Sequence, residues 1–160
     1  MGIRFRADCG MGVKSDRRRV SGNMRQIKNI ILHCTATPQT AKVESIQRYW
    51  RDQLKWKSPG YHWLISRDGT AHNLAPDSQV CNGVAGHNST AIHISYIGGV
   101  DESGKPIDNR TEKQRGVMLE LVKLYLSKYP GAAVKGHNDF TKMKACPSFK
   151  VADWLKEVGL

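Results

Sequence analysis

A chain of 160 residues that is 39% hydrophobic can build one core of useful size and is too short for two. Its formal charge of +11 favours anionic partners such as nucleic acid, anionic membranes or bacterial wall polymers, without choosing among them. No run approaches the roughly 20 apolar residues of a membrane span, and the N-terminus has charge without the apolar stretch of a signal peptide, so we expect neither a membrane anchor nor signal-directed export.

Residues 1–23 show neither helical nor strand periodicity and contain the cluster "DRRR"; they read as a disordered basic leader of net charge +4. Residues 24–160 keep +7, so most of the basicity belongs to the folded domain. "NIILHC", from Asn29, has the isoleucine-rich pattern of a buried strand, ending at His33 and followed by the loop "TATPQT". Thr40 is positioned to cap a helix over residues 40–54, with Val43, Ile46, Trp50 and Leu54 on one face. "KWKSPG" closes it and leads into the β-rich run "YHWLIS", with Tyr61 at its start. The Asp-Gly of "RDGT" marks a hairpin turn, so residues 70–74 should pair antiparallel with residues 61–66.

After a loop over residues 75–89, "AIHISYIGG" reads as the next strand and "VDESGKPIDNR" as a polar connection. Thr111 and Gln114 form a capping box for a helix to about Lys128, with Val117, Leu121, Leu124 and Tyr125 facing the core; Pro130 and Gly131 stop it. "AAVKG" is a short strand delivering His137, and Ser148 is placed to cap a final helix through "VADWLKEV".

Cys9, Cys34, Cys81 and Cys146 are widely spaced and include no CxxC pair, which excludes an ordinary zinc finger and reads as reduced thiols. Any metal site must therefore be assembled from distant segments. His33 and His137 each follow a short apolar strand, and Cys146 lies on the loop after the second. Two imidazoles and a thiolate are an acceptable zinc set with one position left open, but spacing alone does not separate ligands from ordinary hydrogen-bonded histidines.

"HCTAT" after an apolar strand, "GYHWLISRDGT", "GHN" followed by "YIGGVD", and "GH" followed by "KACPSF" together resemble the type-2 N-acetylmuramoyl-L-alanine amidases. That superfamily includes the peptidoglycan recognition proteins, and the likeness is greatest to its amidase-type phage lysozyme branch. The resemblance covers residues 29–154 and implies an α/β fold with a central mixed β-sheet flanked by helices. It implies zinc held by His33, His137 and Cys146, with Tyr61 and Lys144 beside the metal as catalytic residues. The implied reaction is hydrolysis of the amide between the lactyl group of N-acetylmuramic acid and L-alanine of the stem peptide. Lys144 would stabilise the developing oxyanion, and the Tyr61 phenol would hydrogen-bond the attacking water or the leaving amine. The partner implied is bacterial peptidoglycan, with scope for a second regulatory protein; we expect a monomer made in the cytoplasm that reaches the wall after release or dedicated export.

Two positions depart from the family pattern. Ser95 stands where many members carry a glutamate, a carboxylate that the phage branch also lacks, and His93 stands where a glycine is usual. Among the other candidates, His87 and Asn88 in "GHNS" are placed to line the substrate groove. Cys34 should be a core thiol, His62 structural, His72 a hairpin residue and Lys142 a solvated charge. Trp50, Trp63 and Trp154 read as core, and Trp56 as either core or a sugar platform. Two other functions fit the residues: a metal-free hydrolase using Cys146 as nucleophile with a histidine base, and a basic module that binds nucleic acid or protein.

Overall fold

The computed structural model describes residues 5–6 and 25–160. Its strands are β1 (Phe5–Arg6), β2 (Asn29–Cys34), β3 (Trp63–Ile65), β4 (Ala71–Asn73), β5 (Ala91–Tyr96) and β6 (Ala133–Gly136). They form one mixed sheet in the order β1-β4-β3-β5-β2-β6. β3 and β4 pair antiparallel across the Asp-Gly turn, where Gly69 takes φ +83°, and the other pairings are parallel. The helices are α1 (Val43–Arg48), α2 (Glu112–Lys128) and α3 (Val151–Glu157). This is the expected α/β architecture. The leader reading for residues 1–23 lies outside the described residues except at Phe5–Arg6, which add a parallel edge to β4 opposite Ala71 and His72.

Alternation along the strands divides the sheet into two faces. Ile30, Leu32 and Cys34 of β2 join Ile92, Ile94 and Tyr96 of β5 under α2 and α3. Each fully buried isoleucine contributes about 1.5–3 kcal/mol, so this face supplies much of the drive to fold. The opposite face carries Leu64 and Ile97 under α1, and Ile31 under Val84 and Phe140. His33, His93 and Ser95 belong to that second face, because the parallel register sets Ile31 opposite His93 and His33 opposite Ser95.

The capping box forms as expected: the Thr111 hydroxyl accepts from Gln114 N, and the Gln114 side chain accepts from Thr111 N. Gln114 Nε2 also donates to the carbonyls of Ile65 and Ile97, tying the start of α2 to the strand ends. Three local expectations differ. The first helix starts after Lys42, with no side-chain cap, rather than being capped by Thr40, and after Arg48 it widens into a π-helical turn, Tyr49–Gln53, whose Leu54 N–H reaches Tyr49 O. The widening keeps Trp50 directed inward against Gly60 and Tyr61 and leaves Leu54 exposed. Leu124 is also exposed, because the buried stripe of α2 runs through Val117, Met118, Leu121, Val122 and Tyr125 and leaves position 124 at its rim. Ser148 lies before the last helix, which is capped by Lys150; its hydroxyl instead donates to Gly99 O at 2.8 Å.

Candidate active site

The site lies where β2 and β6 end side by side. Their parallel register pairs Leu32 with Gly136, so the next residues, His33 and His137, emerge together, with ring centroids 5.1 Å apart in an edge-on arrangement. Chain crossing here is tight: a Cβ on Gly136 would stand 3.0 Å from both Pro147 Cδ and Val151 Cγ2. After the 3₁₀ turn His137–Asp139, the chain returns to bring Cys146 against the end of β2. Asn138 N donates to Cys146 O at 2.8 Å, Tyr96 Oη to Pro147 O at 2.7 Å, and Cys34 N to Cys146 Sγ at 3.2 Å. These bonds fix a sulfur whose sequence distance from His33 gives no local hint of contact.

One donor atom from each of His33, His137 and Cys146 falls within 4.8 Å of the others. Nδ1 of His33 faces Cys146 Sγ at 3.7 Å, and its Nε2 lies 2.9 Å from His93 Nδ1. Burial holds His33 well below its ordinary pKa, with His93 and His137 adding to the shift. Burial and the nearby Lys144 also lower His137. Both rings are therefore neutral at neutral pH and keep a lone pair for a metal. The hydrogen bond with Cys34, together with burial, pushes the Cys146 thiol up, so a thiolate there calls for a cation beside it. Two neutral imidazoles and one sulfur converging from three segments fit a zinc ion with an open fourth position.

Tyr61 and Lys144 flank this trio. The Tyr61 ring is tilted against His33 at 4.9 Å between centroids, and its hydroxyl donates to Cys34 O at 3.3 Å. Burial, and then the two thiols, raise its pKa, so the phenol stays protonated. Lys144 is exposed on the loop two residues before Cys146, and its charge is felt at both His137 and Cys146. An open groove of about 540 Å³ leads away from Tyr61 between the loop after β2 and α1, lined by Thr35, Ala36, Ile46, Tyr49, Trp50 and Trp56. Trp56 stacks on Trp50 at 6.4 Å, so it serves both the core and the groove wall.

His87 is exposed with its ring 4.4 Å from Phe140, whereas the Asn88 Oδ1 is engaged in the loop, accepting from Gly83 N and Val84 N. His62 is buried and structural: its Nδ1 accepts from His93 N and its Nε2 donates to Gln79 O. Cys34 is buried in the core below the site, and His72 lies on the hairpin 3.1 Å from Ser66 Oγ. Sequence reasoning missed that His93 touches His33. The signal was its place on β5, two residues before Ser95 and on the same face.

The family model for N-acetylmuramoyl-L-alanine amidase matches residues 23–149. The chain is 34% identical over 134 residues to the endolysin of Klebsiella phage KP32, covering 83% of this chain and 88% of that protein. It is 35% identical over 130 residues to the endolysin of Escherichia phage T7, covering 80% and 85%. Among solved structures, the Ph2119 endolysin from the Thermus scotoductus MAT2119 bacteriophage Ph2119 superposes with a TM-score of 0.70 at 26% identity, covering 82% of this chain and 84% of that one. No helix among the described residues is long and apolar enough to cross a membrane. Sequence motifs, sheet topology and these relatives agree: the chain belongs to the type-2 N-acetylmuramoyl-L-alanine amidases, as an amidase of the phage endolysin kind that acts on peptidoglycan.

Proposed function

We propose that this amidase is zinc-dependent, with His33, His137 and Cys146 as ligands and Tyr61 and Lys144 as the catalytic residues. The observation that carries the reading is the convergence within 4.8 Å of a donor atom of His33 with those of His137 and Cys146, both more than a hundred residues further along the chain. When bound, zinc supplies Lewis acidity and an activated water at neutral pH. The chain's own residues do the rest. Lys144 directs an ammonium toward the lactyl carbonyl oxygen as negative charge builds there. Tyr61, kept protonated by burial, turns its hydroxyl from Cys34 O to the attacking oxygen or the leaving amine. The groove beside Tyr61 receives the muramoyl-peptide, and His87 and Asn88 contact the substrate as well.

The metal-free thiol mechanism has less support, since a Cys146 thiol held above its ordinary pKa is a weak nucleophile at neutral pH. Digestion of purified peptidoglycan tests the choice. The expected result is release of L-alanine α-amino groups without new reducing sugar ends, silenced by a chelator and restored by zinc. Reducing ends formed at the same rate would indicate a glycosidase, and activity that survives metal removal would replace zinc with the thiol.

A further inference from the structure

His93 is fully buried on β5, and its ring makes one polar contact among the described residues: Nδ1 to His33 Nε2 at 2.9 Å. The ring's other nitrogen, Nε2, has no partner among the described residues. A buried polar atom without a partner is costly, so its retention calls for a reason elsewhere on the same ring. Room for the ring comes from Gly83, where any Cβ would overlap it, first at Nδ1. Asn88 holds Gly83 in place through the bond from Gly83 N to its Oδ1. On the far side the His62 ring stacks at 5.9 Å and 14°, but its Nδ1 is taken by the His93 main-chain N–H. The local structure therefore aims His93 Nδ1 at one atom, His33 Nε2.

A hydrogen bond between two imidazole nitrogens holds one proton, and its location decides the tautomer of each ring. If His93 donates, the His33 proton sits on Nδ1, the nitrogen that faces Cys146, and no lone pair is offered there. If His33 donates from Nε2, its Nδ1 is free toward His137 and Cys146, and the His93 proton sits on the unpartnered Nε2. We infer that His93 is a positioning residue for the metal site: its Nδ1 accepts the Nε2 proton of His33, fixing the ring plane and the tautomer that presents Nδ1 to the ion. A metal-bound histidine commonly needs such an acceptor behind it, and loss of one typically costs 10- to 100-fold in metal affinity. Here the acceptor comes from the neighbouring parallel strand.

The inference rests on the zinc reading, and the experiment separates the two. Zinc affinity is measured by competition with a chromophoric chelator for the parent, His93→Leu and His93→Asn. The leucine fills much of the volume without an acceptor and should bind zinc about 10- to 100-fold more weakly. The asparagine puts an amide oxygen near the place of Nδ1 and should recover most of the loss, which a packing role would not do. A parent that binds no zinc overturns the metal site and this inference with it. A parent that binds zinc while the folded leucine variant stays within about threefold overturns the inference alone, as does an asparagine variant no tighter than leucine. Should the leucine variant not fold, ¹⁵N NMR of the zinc-loaded parent decides: a slowly exchanging proton on His33 Nε2 is expected, and coordination through Nε2 would refute the assignment.

Discussion

Replacing Tyr61 by phenylalanine removes one oxygen and leaves the ring packed between His33 at 4.9 Å and Trp50 at 5.3 Å. In the resting protein that oxygen donates a long bond to Cys34 O, at 3.3 Å, and also interacts with the Ser95 side chain. Loss of a neutral hydrogen bond of this kind costs about 0.5–1.5 kcal/mol of stability. The Cys34 main chain also borders the proposed metal site through its N–H to Cys146 Sγ, and that bond does not involve the phenol. Zinc content should therefore be unchanged and the melting temperature nearly so. The catalytic cost is expected to be larger: a contact made to charge developing in the transition state is worth about 3–4 kcal/mol, or about a hundred- to a thousandfold in kcat. The assay is zinc content by mass spectrometry, thermal unfolding and initial rates on a soluble muropeptide. Rates within about threefold of the parent, under about 1 kcal/mol, would remove Tyr61 from the chemistry. Zinc lost together with activity would make it a structural support.

Cys146→Ser replaces a soft charged ligand with a poor neutral one, so zinc affinity should fall sharply and turnover cease; a variant with stoichiometric zinc and full activity would eliminate the third ligand. Gly83→Ala drives a methyl group into the His93 ring and should cost about 1–3 kcal/mol in unfolding free energy while weakening zinc binding; a fully stable variant with parental affinity would show that the loop yields freely. The metal-free protein should be acid-sensitive, because burial lowers His62 to about 4 and His93 to about 3. Their folded values lie below the unfolded value near 6.5, so the unfolded chain takes up protons first and stability present above about pH 6.5 is lost as pH falls toward the folded values. Two such groups give a slope of about 2.7 kcal/mol per pH unit between about pH 5.5 and 4, and urea unfolding midpoints that stay flat across that range would contradict it.

Much of this molecule is written locally. Isoleucine runs mark β2 and β5, Asp-Gly sets the β3–β4 hairpin, and Thr111 with Gln114 starts α2, because each depends on dihedral preference or periodicity within a few residues. The trio of His33, His137 and Cys146 that the fold gathers was named from the sequence as well, through a resemblance carried by four ordered motifs; spacing by itself left His33 and His137 undecided. What the local pattern did not carry was long-range. The π-helical turn that leaves Leu54 exposed follows from Trp50 packing against Gly60, and Ser148 serves Gly99 rather than a helix because the loop carrying Cys146 folds back over β2. The pairing of β2 with β5 and β6 joins segments some sixty and a hundred residues away in sequence. That pairing brings His137 beside His33 and makes His93 the partner of His33 Nε2. Alternation within each strand is legible in the sequence, but only the parallel register decided that His33 and His93 would share a face and meet, because a buried nitrogen takes its partner from whichever strand packing sets beside it.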